Sequence, residues 1–198
     1  MYPLLETIKI SDGIPRNLFW HQERYNHSYE LYYNQKSGTL LENIISVPDL
    51  FKFGLIKARL LYNKDSFKLE FANYVPAGIR TLKLVENNDI EYGLKYTERS
   101  LIRKLLQQKR ENDDILIIKN GKITDTSISN IVFYDGETWF TPRFPLLKGT
   151  ARERLLNEQR IFEKDVVIED LRLFTHFRLI NAMLDFDDQE MLEISAIK

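Results

Sequence analysis

A chain of 198 residues can form one or two domains with a hydrophobic core, and its 43% hydrophobic and 29% charged residues are typical of globular proteins. The formal net charge of −1 provides no overall field that would attract nucleic acid or an anionic membrane. The absence of cysteine excludes disulfides, thiolate nucleophiles and cysteine-ligated metal sites, and it fits a cytoplasmic protein. No apolar run approaches the roughly 20 residues that cross a bilayer, and no signal peptide is expected.

The first half of the chain is predicted to be rich in strands. Residues 4–10 alternate between apolar and polar and are followed by Asp12-Gly13, which predicts a strand that enters a hairpin turn. Apolar side chains near helical spacing predict a helix over 18–33. A short helix followed by a strand is predicted within 47–63. Further strands are predicted at 66–75 and 80–86, and 87–93 is expected to be a linker.

The second half mixes helices and strands. Helices are predicted over 97–111, with Thr97 as the N-cap candidate, and over 149–159 after Gly149. Strands are predicted at 114–119, 122–127, 165–171 and 177–186, and a second hairpin is predicted over 130–141 with Asp135-Gly136 as its turn. Asn120-Gly121 is typical of a type I′ turn. We therefore expect an α+β protein with a smaller domain over 1–90 and a larger domain over 91–198.

Lys95 is the first candidate for chemistry. Most lysines are solvated surface residues, and the position of Lys95 alone does not distinguish it from these. The alternative is a lysine that forms a Schiff base, which requires an amine held near a carbonyl cofactor and kept partly neutral. The decision depends on which other residues accompany it.

Pyridoxal 5′-phosphate requires an amine, an acid that faces its ring nitrogen, and donors for its phosphate. Asp125, on a strand after a tight hairpin, is a candidate acid. The helix that opens at Gly149-Thr150 offers backbone amides, and Arg24 could bind a phosphate through two donors. Each residue also has a structural interpretation: a solvated turn residue, a loop glycine or a surface arginine.

Five segments in order resemble the class IV aminotransferases, which are fold-type IV enzymes that use pyridoxal 5′-phosphate. The resemblance covers most of the chain and rests on the order of the segments rather than on any one of them. They are 6-ETIKISDGIPRNLFWHQERY-25, 94-LKYTER-99, 114-DILIIKNGKITDTSISNIVF-133, 141-TPRFPLLKGTARERLL-156 and 179-LINAML-184. The family includes branched-chain and D-amino acid aminotransferases and aminodeoxychorismate lyase.

The resemblance assigns roles to single residues. It implies that Lys95 forms the imine with the cofactor aldehyde and moves protons at the substrate carbon. Asp125 would face the ring nitrogen, where most members have glutamate, which has one more methylene. The resemblance also implies a set of phosphate-side residues, which are Arg24, Thr150, Ala151 and Asn181. Ala151 stands where some members have threonine, so one hydroxyl contact is expected to be missing.

Other residues are interpreted as structural. His21 could be a general base, but the family pattern favours a packing role for it. His27 and His176 have no paired carboxylate at ligand spacing, so we predict no metal site. The basic helix over 99–110 lacks interleaved aromatic residues, so we expect an exposed amphipathic helix and no nucleic-acid partner.

Three functions remain open from the sequence. The segments LKYTER and LINAML are closer to the aminodeoxychorismate lyase branch, whose products are 4-aminobenzoate and pyruvate in folate synthesis. The alternatives are an aminotransferase that acts on a small amino acid and a degenerate module that keeps the fold and binds a partner but no longer catalyses a reaction.

The chain is shorter than typical members of the family, and the missing residues are expected in the N-terminal domain. Family members usually form homodimers and act on a small amine or amino acid. A homodimer and a substrate of this kind are therefore expected here.

Overall fold

Strand pairing divides the structure, a computed structural model of residues 1–198, into three sheets. These sheets and their helices form two units. The first unit contains residues 1–76 and 94–98, and the second contains residues 77–93 and 99–198. The two units are described one after the other.

The first unit is built on a four-stranded antiparallel sheet with the strand order β2-β1-β3-β4. The strands are β1 Leu4–Ser11, β2 Ile14–Pro15, β3 Leu55–Tyr62 and β4 Phe67–Asn73. The helices are α1 Leu18–Tyr33 and α2 Leu41–Ile44, and a 3-10 helix covers Asp49–Phe51. The strands and the long helix predicted from residues 4 to 75 are therefore all present.

The core of the first unit forms where alternating residues of β1 and β3 point to the same side. Ile8 lies opposite Ala58, and Leu4 lies opposite Tyr62, and all four are buried. Because side chains alternate between the faces of a strand, one side of the β1–β3 pair is apolar. Tyr25, Tyr29 and Tyr33 of α1 belong to the same core.

The second unit contains a three-stranded sheet, β5-β6-β7, and a five-stranded sheet, β10-β9-β8-β11-β12. The strands are β5 Leu82–Glu86, β6 Asp114–Lys119, β7 Lys122–Thr126, β8 Asn130–Tyr134, β9 Trp139–Pro142, β10 Phe162–Lys164, β11 His176–Ile180 and β12 Leu192–Glu193. The helices are α3 Ser100–Leu106 and α4 Thr150–Asn157, with 3-10 helices at Gln107–Lys109, Ile168–Leu173 and Ile194–Ala196. The mixture confirms the α+β class expected from the sequence.

A tight hairpin joins β6 to β7. Asn120 and Gly121 both have positive φ angles, 52° and 73°, as a type I′ turn requires. Asparagine and glycine tolerate this left-handed conformation better than other residues do. The turn therefore fixes the pairing of Lys122 and Ile123 with β6, and the register shifts farther along β7, the strand that carries Asp125.

The pairing of β5 was not visible in the sequence. β5 runs parallel to β6, with Leu82 opposite Asp114, and this pairing joins residues 82–86 to the second unit. The sequence-based division placed these residues before residue 91. A parallel pair needs a long crossover connection, so local patterns do not reveal its partner. The division into folding domains at residue 90 stays a prediction.

Three local predictions were wrong. The strand predicted over 177–186 ends at Ile180, the last residue of β11. The hydroxyl of Thr97 donates to the carbonyl of Tyr2 at 2.6 Å, and α3 begins only at Ser100, so Thr97 is not its N-cap. The strand predicted over 165–171 is largely a 3-10 helix, Ile168–Leu173, whose first turn is closed by the carboxylate of Asp170.

No helix in the structure combines the length and apolar composition that a membrane span requires.

Candidate active site

In the first unit, a fully buried glutamate lies on the apolar side of β1. Glu6 has a relative exposure of 0% and shares this side of the strand with Leu4 and Ile8. Its neighbour across the sheet is Leu60, which is also fully buried. A charge in such surroundings is costly unless it is paired and hydrogen-bonded.

Helix α1 supplies the partners of Glu6. His21 and Arg24 are three residues apart and therefore project from the same side of the helix. Arg24 donates from Nε to Glu6 Oε1 at 2.9 Å and from Nη2 to Oε2 at 2.6 Å. His21 donates from Nδ1 to Oε2 at 2.7 Å. One carboxylate thus accepts three hydrogen bonds, two of them in the bidentate arrangement favoured by arginine.

The charge state of this cluster follows from its contacts. Burial by itself would raise the pKa of Glu6, but the charge of Arg24 and the hydrogen bonds from His21 and Arg24 lower that pKa to about 2. Burial lowers the pKa of His21 below its ordinary value, against the opposing effect of Glu6. At neutral pH the cluster therefore contains an ion pair between Glu6 and Arg24 and a neutral imidazole. His21 acts here as a hydrogen-bond donor to Glu6, which fits the packing role expected for it.

Lys95 belongs to the first unit, in a short segment that runs beside β1. The carbonyl of Lys95 accepts a hydrogen bond from the Leu5 amide at 3.0 Å, and the Thr97 amide donates to the carbonyl of Pro3 at 2.9 Å. The charge of Lys95 adds to the lowering of the His21 pKa that burial causes. Lys95 is half-buried. Its effect on the pKa of His21 shows that its charge lies close enough to interact with the Glu6 cluster.

In the second unit, Asp125 lies on β7 and is 5% exposed. The interpretation of Asp125 as a solvated turn residue is therefore wrong. The Leu147 amide donates to Asp125 Oδ2 at 2.9 Å, and Asn130 Nδ2 donates to Oδ1 at 2.7 Å. Asn130 Nδ2 also donates to the Leu147 carbonyl at 2.8 Å, so the three residues form a closed set of hydrogen bonds.

The pKa of Asp125 reflects burial against these donors. Burial raises the pKa to about 6, although the Leu147 amide, the Asn130 side chain and the charge of Arg152 all oppose the rise. At pH 7 the group is mainly ionised, and a small change in its surroundings is enough to change its protonation. An acid with this pKa can exchange a proton with a ring nitrogen near neutrality.

Gly149 and Thr150 form the start of α4, and this helix end has no side-chain cap. The first helical hydrogen bond joins the Glu153 amide to the Gly149 carbonyl at 2.9 Å, so the amides of Thr150 and Ala151 precede the ladder. Both residues are buried, and no protein group accepts from these two amides. A buried helix N-terminus with amides of this kind is suited to an anion.

Asn181 lies in the turn after β11. Its Nδ2 donates to the hydroxyl of Ser129 at 2.8 Å, and its Oδ1 accepts from the Met183 amide at 2.9 Å. Ser129 directly precedes Asn130. The Asn181 side chain therefore contacts the connection between β7 and β8, and both its nitrogen and its oxygen are hydrogen-bonded to protein groups.

The predicted site residues fall into two sets. Arg24 and Lys95 belong to the first unit, around Glu6. The second unit holds the others, which are Asp125, Thr150, Ala151 and Asn181. Within that unit, Asn130 links the acid to the start of α4, and Ser129 links Asn181 to the same connection.

Two residues of these sets were given no role from the sequence. A charged residue at position 6, in register with Leu4, Ile8 and Ile10, was a visible signal, because a charge on the inward side of a strand requires a partner. Asn130 follows Asp125 by five residues, and no local pattern indicates that its amide would return to that carboxylate across a turn.

Comparison with known proteins gives the family. The model of the amino-transferase class IV family matches residues 3–197. An uncharacterised protein of Haemophilus influenzae is 42% identical over 185 residues, which are 92% of this chain and 98% of that protein.

Solved structures give the same result. The crystal structure of a proposed 4-amino-4-deoxychorismate lyase from Haemophilus somnus 129PT is 40% identical, covers 92% of this chain and 97% of its own, and has a TM-score of 0.88. A proposed amino-acid aminotransferase from Mesorhizobium loti shares the fold at 19% identity and a TM-score of 0.80, with 100% of this chain and 99% of that chain covered.

A longer relative shows the difference in size. A hypothetical aminotransferase from Mycobacterium tuberculosis, in its PLP-bound form, has a TM-score of 0.78 at 14% identity. The match covers 99% of this chain but 81% of that one, which agrees with the short chain expected from the sequence. With the family model spanning nearly every residue, the chain belongs to amino-transferase class IV and is an enzyme that depends on pyridoxal 5′-phosphate.

Proposed function

We propose that this enzyme converts aminodeoxychorismate to 4-aminobenzoate and pyruvate. The assignment of this substrate is supported by the similarity to the Haemophilus somnus structure, which is 40% identical over nearly the full length of both chains. The observation that supports a cofactor site is the pair of features in the second unit: a buried acid with a pKa of about 6 and a buried, uncapped helix N-terminus, both in contact with Asn130.

The donors and acceptors of the chain fit the cofactor. The amides of Thr150 and Ala151 are buried donors without a protein acceptor, and a phosphate would satisfy them. Asp125 accepts one hydrogen bond at each oxygen, and a carboxylate oxygen has room for a second donor such as a protonated ring nitrogen. Asp125 would thus keep the ring nitrogen protonated.

The proposed roles in the first unit concern phosphate binding and proton transfer. Arg24 is held against Glu6 through Nε and Nη2, and a guanidinium is suited to bind a phosphate. Lys95 is the proposed attachment point of the cofactor and the group that takes and returns a proton at the substrate. Pyridoxal 5′-phosphate, when bound, supplies an electron sink for the negative charge that develops at the substrate carbon.

The reaction itself requires proton transfer. A proton leaves the ring carbon that bears the amino group, and the enolpyruvyl group departs and takes up a proton to become pyruvate. The ring that remains is aromatic, which favours the products. Lys95 is the residue that we assign to the first of these transfers. Asp125 would assist it indirectly, because its carboxylate would keep the ring nitrogen protonated and a protonated ring withdraws negative charge better.

An assay distinguishes the lyase from an aminotransferase. Purified enzyme with pyridoxal 5′-phosphate and aminodeoxychorismate should release equal amounts of pyruvate and 4-aminobenzoate without any added oxo acid. Lys95→Ala should abolish the release, and Lys64→Ala, a change in the turn between β3 and β4, should not. Amine exchange that requires an oxo acid, with no release of 4-aminobenzoate, would assign the chain to the aminotransferases.

We also propose a homodimer in the cytoplasm. Members of the family usually form homodimers, which supports the dimer. The absence of cysteine from the chain supports a reducing compartment such as the cytoplasm. Light scattering at micromolar concentration should give twice the chain mass of 23.5 kDa. A mass of one chain across the concentration range would contradict the dimer.

A further inference from the structure

Asn130 contacts both features that the proposed cofactor site requires. It is the first residue of β8 and is 6% exposed. Its Nδ2 donates to Asp125 Oδ1 at 2.7 Å and to the Leu147 carbonyl at 2.8 Å. Both hydrogens of the amide are thus used, and a flipped amide would point its oxygen at two acceptors. The orientation of the side chain is therefore determined.

The other end of the same amide lies against the start of α4. A Cβ built on Gly149 would stand 2.0 Å from Asn130 Oδ1, a distance that no real side chain allows. Glycine at the N-cap lets the helix backbone approach the amide. The Asn130 side chain is therefore enclosed by Asp125, the Leu147 carbonyl and the Gly149 backbone.

This arrangement determines how the carboxylate of Asp125 is held. Asn130 fixes one oxygen and the Leu147 amide fixes the other, so the plane of the carboxylate cannot turn. Both donors stabilise the ionised form against burial, which raises the pKa of Asp125 to about 6. Loss of the Asn130 donor removes one of these constraints and one source of that stabilisation.

We propose that Asn130 is a positioning residue that couples the acid facing the ring nitrogen to the phosphate-binding start of α4. The proposal rests on the roles assigned above to Asp125 and Thr150. Asn130 acts through Asp125 and the Gly149 backbone, both of which it contacts. It holds the carboxylate plane of Asp125 and the N-terminus of α4 in one fixed relation, so that both ends of one ligand are bound together.

The first test uses the protein without cofactor. Asn130→Ala should shift the pKa of Asp125 upward from about 6, because a donor to the charged form is lost. Carbon-13 NMR titration of the Asp125 carboxyl measures this directly. Asn112→Ala is the matched control, since Asn112 is also buried and donates to a backbone carbonyl, that of Lys109. The control should leave the Asp125 pKa unchanged.

The second test measures the coupling to α4. Asn130→Ala should weaken binding of both inorganic phosphate and pyridoxal 5′-phosphate, the latter by about tenfold or more, as expected for a lost hydrogen bond to a charged group. Gly149→Ala should destabilise the normal protein, because its Cβ meets the Asn130 amide. In the Asn130→Ala background the same change should be far less harmful, because the amide is gone.

The outcomes separate the proposal from the assigned function. An unchanged Asp125 pKa in Asn130→Ala, or equal effects of Gly149→Ala in both backgrounds, would overturn the coupling even if the enzyme is a lyase. A raised pKa together with the rescue of Gly149→Ala would support the coupling even if aminodeoxychorismate is not the substrate. If Asn130→Ala is poorly folded alone, the melting temperature of the double variant still decides the question.

Discussion

Among single residues, Glu6 is expected to have a large effect on stability, because its charge is wholly buried. The ion pair with Arg24 and the hydrogen bond from His21 compensate for the lost hydration. Removal of the charge would leave the guanidinium of Arg24, 11% exposed, without its bidentate acceptor. The cost of such a change comes from the partner that stays behind.

Glu6→Gln should therefore lower the free energy of unfolding by about 3–5 kcal/mol, as is usual when one partner of a buried ion pair is removed. Urea denaturation at pH 7 measures this. The matched control is Glu70→Gln, because Glu70 pairs with Arg59 at 3.0 Å where the two side chains are 35% and 40% exposed. That change should cost less than about 1 kcal/mol. Equal losses in the two variants would contradict this account of Glu6.

The Glu6 cluster also makes stability depend on pH. The pKa of Glu6 falls from 4.5 to about 2 on folding, so its contribution is complete above pH 4.5 and is lost as the pH falls through about 2. The free energy of unfolding should therefore decrease over this range. Denaturation series from pH 5 to pH 2 should show a smaller decrease in Glu6→Gln than in the unmodified protein.

Asp125 has the opposite dependence. Its pKa rises from 3.8 to about 6 on folding, so its contribution is complete below pH 3.8 and is lost as the pH rises through 6. In the protein without cofactor, Asp125→Asn should remove this part of the loss between pH 4 and pH 7. An unchanged profile in Asp125→Asn would show that the carboxyl is not buried in solution.

A residue of the candidate site can be predicted from the sequence when a local sequence pattern marks it. Asp125 and Thr150 could be proposed because each follows a local signal, a hairpin turn and a glycine before a helix. The connection between Asp125 and Asn130 could not, because it depends on how the three residues between β7 and β8 fold back. The partner of Arg24 could have been proposed from the inward register of Glu6, as the strand and the helix were both predicted.

At the level of elements, the hairpin between β6 and β7 has a left-handed turn, and β7 carries Asp125, a proposed site residue. Gly121 has a φ of 73°, and a Cβ added at this position would meet no atom within 4 Å. Only the backbone conformation therefore opposes a side chain there.

Gly121→Ala should therefore cost about 1–2 kcal/mol, the usual penalty for a left-handed residue other than glycine. The melting temperature measures the change. Gly38→Ala is the control, because Gly38 also has open space but no positive φ, and it should be nearly neutral. Equal effects at both positions would show that the left-handed turn is not required.

The elements that were predicted correctly share a local cause. Periodicity of two or 3.6 residues, with turn residues between, identified β1, β3, β4, α1 and α4. Residues 168–171 were misassigned because they follow the β-branched residues Val166 and Val167, which favour a strand, whereas the Asp170 side chain closes a 3-10 turn. The partner of β5 was missed because parallel pairing is set by distant segments.

At the level of the whole molecule, the chain is a short member of its family. It covers 97% of the Haemophilus somnus structure but 81% of the Mycobacterium tuberculosis aminotransferase. Family membership and dependence on pyridoxal 5′-phosphate follow from the match over residues 3–197. The roles of Lys95 and Asp125 are the part that experiment must now test.

The most direct measurement is the site of covalent attachment. The protein loaded with pyridoxal 5′-phosphate is reduced with borohydride, digested and analysed by mass spectrometry. We predict one phosphopyridoxyl group, on Lys95, and none in Lys95→Ala. A group on another lysine, or none on protein that has bound the cofactor, would contradict the account.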